Sequence, residues 1–349
     1  MKGKIALEEH FSTEEFLADI KPYFVREGKW EEGKATICDI SGKRLEEMDA
    51  NGIEYNILSL SSPTIQGMCS TPDAIVAARN INDYLAEQIA PLPRRFGGFA
   101  ALPTQDPEAS ILELQRCVKD LGFKGALVNG FCNIDDPENA IYLDDPRYLP
   151  FWEEVEKLGV PIYLHPRMSV PSVRKKEYAG HDWMVSAAWG FHVETGTHCL
   201  RLMASGLFDK FPGLQIVIGH MGELLPFQIW RICNRVDSHK RDCKAEKSFT
   251  HYLENNFHIT TSGNCSTPAL LCTMLETGTD RIMFSTDYPY ETMSQAANWF
   301  DNLPVSNNDK RKMGRTNAQK LFHLEFLDDC AHCDLQKTGK PLFEVTPKS

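Results

Sequence analysis

The chain has 349 residues, of which 42% are hydrophobic and 24% charged, a composition that excludes intrinsic disorder. That length suits one large α/β barrel with insertions, although two domains of ordinary size fit it as well. A formal net charge of −11 argues against a phosphate backbone as partner, and no apolar run approaches the roughly 20 residues that span a bilayer.

In chain order, short apolar runs flanked by Gly, Pro or polar residues read as buried parallel strands. They are Ile5–Leu7, Tyr55–Leu60, Phe96–Leu102, Ala126–Val128, Pro161–Leu164, Gln215–Ile218, Phe257–Thr260 and Arg281–Phe284. Helical spacing fills the gaps: Thr71–Ile89, Asp106–Leu121 ahead of Gly122, Arg147–Leu158 ahead of Gly159, Thr197–Leu207, Leu224–Val236, Pro268–Glu276, Ser294–Asn302 and a last helix near Asp309–Leu321. The alternation predicts a (β/α)8 TIM barrel over residues 1–325, with a doubly wound open sheet as the other arrangement. Residues 11–42 form a long first βα loop of the kind that walls or covers a pocket, and residues 326–349 read as a C-terminal tail. Cys330-Ala-His-Cys333 in that tail lacks a second ligand pair at zinc-site spacing and reads as incidental. An odd total of 11 cysteines, and a start (MKGKIALEEH) without a long apolar stretch or cleavage site, fit reduced thiols in the cytoplasm.

A barrel of this kind collects its active site at the C-terminal ends of its strands. Those ends carry Glu8 and His10 after the first strand, Asn129 after the fourth, His165 after the fifth, His220 after the sixth and Asp287 after the eighth. Glu8 and His10, two apart on an extended segment, point to one face. Singly, such residues are more often structural histidines or helix caps. Jointly, Glu8, His10, His165 and Asp287 offer two imidazoles and two carboxylates to one divalent ion, Mn2+ or Zn2+, with Mg2+ also compatible. His220 lies in Gly219-His-Met-Gly-Glu223, where the glycines allow a sharp turn and Glu223 is placed to orient the imidazole.

Longer ordered motifs carry a resemblance. Gly3-Lys-Ile-Ala-Leu-Glu-Glu-His10, Gly122-Phe-Lys-Gly-Ala-Leu-Val-Asn129, Tyr163-Leu-His-Pro-Arg167, Leu202-Met-Ala-Ser-Gly-Leu-Phe-Asp209, Thr260-Thr-Ser-Gly-Asn264, Phe284-Ser-Thr-Asp-Tyr-Pro-Tyr-Glu291 and Gly314-Arg-Thr-Asn317 follow one another to about Leu324. The chain resembles the non-oxidative aromatic acid decarboxylases of the amidohydrolase superfamily, such as those acting on γ-resorcylate (2,6-dihydroxybenzoate) and 2,3-dihydroxybenzoate. The resemblance implies metal ligation by Glu8, His10, His165 and Asp287, and supporting roles for His220 and Glu223. It further implies ring contacts from Phe24, Phe191 and Tyr290, polar contacts from Asn129 and Arg231, and a homodimer or homotetramer. Two departures from the hydrolases stand out: Glu8-Glu-His10 replaces the usual His-x-His, and Asn129 stands where many place a metal-bridging lysine. His10 tilts the expectation toward the γ-resorcylate branch, because several relatives acting on 2,3-dihydroxybenzoate or salicylate have alanine there.

The expected reaction is reversible loss of CO2 from an ortho-hydroxybenzoic acid, giving the phenol. A free aryl anion is too unstable, so the ring carbon is protonated first, helped by the ortho oxygen. The metal chelates the carboxylate and that oxygen, Asp287 delivers the proton, and no organic cofactor is needed. The alternative is a lactonase or amidase on the same barrel, with His220 as base.

Overall fold

The computed structural model describes residues 1–21, 30–324 and 327, so Phe24 and the Cys330–Cys333 pair lie outside the described residues. Eight parallel strands form where the sequence places them. They are β1 (Lys4–Phe11), β2 (Ile53–Leu60), β3 (Phe96–Gly98) and β4 (Ala126–Asn129), then β7 (Ile162–His165), β8 (Ile216–Ile218), β9 (Phe257–Thr260) and β10 (Ile282–Met283). Between them β5 (Cys132–Ile134) and β6 (Asp136–Ile141) make an antiparallel hairpin absent from the sequence expectation.

The ladders run β1-β2-β3 and β10-β9-β8-β7-β4. Two parallel bridges join their edges, Ala100 to Ala126 and Glu9 to Tyr288. The ring is thereby closed as a (β/α)8 barrel, and the open sheet is ruled out. Strand parity sorts the side chains. Ile5, Tyr55, Ile57, Leu127, Tyr163, Val217 and Met283 pack on one another inside the barrel. Their neighbours Ala6, Leu58, Val128, Leu164, Ile216 and Ile259 pack outward in the layer shared with the helices. Each of the Leu, Ile, Val and Met side chains among them contributes roughly 1.5–3 kcal/mol by leaving water. Phe322, Leu324 and Leu327 join the inner cluster, and Arg315 ties this end down by donating to Gly3 O and Leu327 O.

Three elements depart from expectation for visible reasons. The third strand's ladder stops at Gly98, although burial continues through Leu102. The helix expected from Thr197 begins at Gly190. Its glycines serve close packing: a Cβ at Gly190 would lie 2.6 Å from Val185 O, and one at Gly196 would lie 2.9 Å from Glu223 O. The last helix splits into Asn307–Arg311 and Asn317–Leu321 around a π turn at Lys312–Thr316. That turn presents Met313 O to Phe284 N at 2.8 Å, so helix regularity is exchanged for a hydrogen bond to the chain leaving β10.

Candidate metal centre and catalytic site

Glu8 and His10 reach the barrel mouth through a bulge. The β1–β2 register shifts between Ala6 and Glu9, and the N–H groups of Leu7 and Glu8 both donate to Ser285 Oγ at 2.7 Å. The shift lets Leu7 stay in the inner core while Glu8 and His10 face the mouth. Glu9 turns to the other side, where its carboxylate accepts from Thr286 N at 2.9 Å and Thr286 Oγ1 at 2.6 Å. Burial raises the Glu9 carboxyl to about 8 against these donors and Arg44. Asp287 follows with φ +70°, a left-handed conformation held by its N–H donating to Glu8 O at 3.0 Å.

The four expected ligands converge. One donor atom from each of Glu8, His10, His165 and Asp287 lies within 4.8 Å of the others. Glu8 Oε1 is the hub: His165 Nε2 is 3.2 Å away, His220 Nε2 3.5 Å and His10 Nε2 3.9 Å. Asp287 Oδ1 lies 3.4 Å from His10 Nε2. Behind the hub, Tyr163 OH donates to Glu8 Oε2 and meets Thr260 Oγ1 at 2.8 Å. A Cβ on Gly219 would sit 2.6 Å from Glu8 Oε2, so only glycine admits this carboxylate.

Each imidazole is held by its other nitrogen. His10 Nδ1 meets Ser59 Oγ at 3.2 Å, His165 Nδ1 meets Asn129 Oδ1 at 2.8 Å, and His220 Nδ1 meets Glu223 Oε1 at 2.7 Å. This arrangement leaves the Nε2 atoms for the centre. Glu8 Oε1 and His10 Nε2 are buried and make no hydrogen bond among the described residues, which is what a cation's ligands show when the cation is left aside. The donor set fits a divalent ion of the Mn2+ or Zn2+ type.

The electrostatics agree. Burial raises the Glu8 carboxyl, but His220, His10 and His165 outweigh it and hold the group well below its usual range. Burial likewise raises Asp287, and His10 and His220 bring it below the ordinary value. Burial lowers His10, yet Asp287 and Glu8 lift it to about 9. His165 is lowered by burial and remains neutral, as a ligand imidazole should be. Against the same penalty, Glu223, Glu8 and Asp287 raise His220 well above its usual value. Positive charge between two carboxylates is therefore favoured here, and a dication supplies it.

A cavity of about 640 Å3 opens over the centre. His165, His220 and Asp287 form part of its lining with Phe191 and Tyr290, while Glu32, Gly33 and Thr36 of the first loop wall one side. Tyr290 lies edge-on to His10 with ring centroids 5.8 Å apart, and its hydroxyl meets Ser61 Oγ at 2.5 Å. Asn129, expected to touch substrate, is buried with its amide oxygen on His165. Arg231 is exposed on the helix Leu225–Ser238 and is not among the residues lining this cavity. The sequence reading missed Ser59, Tyr163, Ser285 and His192, whose Nδ1 lies 2.7 Å from Glu223 Oε2. Tyr163 had a legible signal, because it sits two residues before His165 on the same strand face.

The fold and these ligands place the chain in a known class. The Amidohydrolase family matches residues 10–324, and the chain belongs to that family. Within it, the chain is 50% identical over 326 residues to a gamma-resorcylate decarboxylase of Polaromonas sp. strain JS666, covering 93% of this chain and 99% of the relative. A crystal structure of 2,6-dihydroxybenzoate decarboxylase complexed with 2,6-dihydroxybenzoate superposes with a TM-score of 0.90 at 50% identity, covering 93% of this chain and 100% of that one. The dihydroxybenzoic acid decarboxylase of Polaromonas sp. JS666, solved with bound manganese and the inhibitor 2-nitroresorcinol, also gives a TM-score of 0.90 at 50% identity, over 93% and 98% of the two chains.

Proposed function

We propose that this chain is a metal-dependent decarboxylase that converts 2,6-dihydroxybenzoate to resorcinol and CO2 in a reversible reaction. The observation that carries the reading is the hub at Glu8 Oε1, where three imidazole Nε2 atoms and the Asp287 carboxylate meet beneath a cavity walled by Phe191 and Tyr290. Glu8, His10, His165 and Asp287 would hold the ion. When bound, the ion supplies Lewis acidity toward a carboxylate oxygen and the ortho oxygen of the substrate.

The chain's own residues do the rest. Glu32, Glu47 and Glu291 outnumber Lys43 in the cavity lining, so the wall itself repels an anion and the centre has to provide the pull. Phe191 and Tyr290 flank the ring and restrict its plane. His220 holds a proton, backed by Glu223. Asp287 Oδ2, 3.7 Å from His220 Nε2, is the carboxylate through which that proton reaches the ring carbon. Protonation at that carbon lets the C–C bond to the carboxylate break, CO2 leaves, and aromaticity returns.

The protein works as a homodimer or homotetramer in the cytoplasm. Trp183, Phe227 and Trp230 are 67%, 79% and 72% exposed and offer apolar surface for a subunit contact. The cysteines among the described residues are free, as a reducing compartment requires.

The test is to incubate manganese-loaded protein with 2,6-dihydroxybenzoate, 2,3-dihydroxybenzoate and salicylate, each with a chelated control, and to measure CO2 and phenol. Metal-dependent release of resorcinol and CO2 from the first acid, faster than from the others, is expected. Absence of CO2 from all three with the metal verified in the protein refutes the reading.

A further inference from the structure

The Glu223 carboxylate is engaged at both oxygens. Oε1 lies 2.7 Å from His220 Nδ1 and Oε2 lies 2.7 Å from His192 Nδ1. An ionised carboxylate has no hydrogen to give, so both imidazoles donate. The two rings stand edge to face with centroids 5.6 Å apart. Glu223 is 1% exposed, so an oxygen without a donor could not turn to water instead.

The surrounding backbone is arranged around this contact. His192 lies in the first turn of the helix Gly190–Ala204, which presses onto the turn carrying Glu223 closely enough to exclude a Cβ at Gly196. In that turn His220, Met221, Glu223 and Leu224 all have positive φ, between 51° and 69°. Such a run of left-handed non-glycine residues persists only where other contacts hold it. The Glu223 carboxylate spans the two elements, with His220 on its own turn and His192 on the helix.

We propose that His192 is a positioning residue for the reaction. By donating its Nδ1–H to Glu223 Oε2, it prevents the carboxylate from rotating, and the fixed Oε1 sets the tautomer and direction of His220 over the centre. The effect on turnover rests on the decarboxylase reading above, whereas the effect on the His220 ring does not. His192, His220 and Glu223 also have the composition of a metal site. Their 2.7 Å separations are hydrogen-bond lengths, whereas a shared tetrahedral zinc ion, about 2.0–2.2 Å from each donor atom, would hold those atoms roughly 3.3–3.6 Å apart.

The experiment compares His192→Ala and His192→Asn with the wild type as manganese-loaded proteins. It reads kcat, KM and metal equivalents per chain, and it reads histidine ring 15N spectra on the zinc-loaded forms. The alanine variant should lose about 10- to 100-fold in kcat, the range found when a partner behind an active-site histidine is removed. KM and a single metal equivalent should be unchanged, and the fixed Nδ1–H signal of His220 should be lost. Asparagine places an amide donor near the former Nδ1 and should restore most of kcat and the His220 signal. An alanine variant with wild-type kcat and an unchanged His220 signal overturns the proposal. So does a second metal equivalent in the wild type that disappears with His192. If the wild type releases no CO2 the decarboxylase reading fails, and the 15N spectra still decide whether His192 fixes His220.

Discussion

Asn129→Ala separates two roles for one residue. A substrate contact was expected from the resemblance, but the structure puts Asn129 Oδ1 2.8 Å from His165 Nδ1. His165 is 5% exposed, so removing the amide leaves its Nδ1–H without an acceptor and without access to water. An unpaired buried donor costs about 1–3 kcal/mol. Because this ring is a proposed ligand of the ion, the loss should appear as weaker metal binding by roughly 10- to 100-fold, or about 1.4–2.7 kcal/mol, consistent with the hydrogen-bond figure. The assay is competition for Mn2+ against a chromophoric chelator, followed by kinetics at saturating metal. Weakened metal binding, largely recovered kcat and a near-normal KM are expected. A raised KM for the aromatic acid with unchanged metal affinity would refute the positional argument and restore Asn129 as a substrate contact.

Asp287→Asn should lower kcat by roughly 100- to 10,000-fold, the scale of general acid catalysis, measured at saturating metal so that weaker ligation does not mimic the effect. Removing the ion with a chelator should abolish turnover and lower the melting temperature. An ion present at a thousand times its Kd stabilises the fold by about 4 kcal/mol, and calorimetry with and without Mn2+ checks this. Burial raises the Glu194 carboxyl from 4.5 to about 7, against donation from Tyr142 OH. The folded state therefore holds a proton that the unfolded state has lost between pH 4.5 and 7. Stability should fall as pH rises through that window, by roughly 3 kcal/mol from this group, and Glu194→Gln should flatten the fall in urea titrations at pH 5 and pH 8. Phe227→Glu with Trp230→Glu should reduce the particle to a monomer in light scattering; an unchanged mass would place the subunit contact elsewhere.

The barrel was legible because its strands are short apolar runs bounded by turn residues, and the candidate ligand cluster was legible because its members stand at strand ends. Glu8-Glu-His10 shows why that works: although the bulge spans Leu7 and Glu8, Glu8 and His10 still face the mouth together and Glu9 faces away. What remained hidden depends on contacts distant in sequence. Nothing around Ser59 or Ser285 marks a residue that orients His10 or pins the bulge. His192 was missed because Gly190 and Gly196 resemble a loop, whereas each supports a close backbone approach that only the folded chain reveals. The β5–β6 hairpin was missed because Asp136, Glu138 and Asn139 give its second strand an exposed, polar face.

Three histidines of identical chemistry face one carboxylate oxygen, and what stands behind each assigns its work. A hydroxyl backs His10, an amide oxygen backs His165 and a carboxylate backs His220. A neutral amide fixes the His165 tautomer without favouring imidazolium, so burial leaves that ring neutral and free to ligate. The Glu223 carboxylate favours a second proton on His220, so that ring retains its hydrogen beside Asp287. His10 lies between them: its backing is weak, and its proton depends on Asp287 and Glu8, the same groups that would share a cation with it. A dication bound by those carboxylates would displace the His10 proton while leaving the His220 proton backed by Glu223. In the proposed mechanism, ligand and proton reservoir are thus distinguished by the groups behind the rings, which open onto the same barrel mouth.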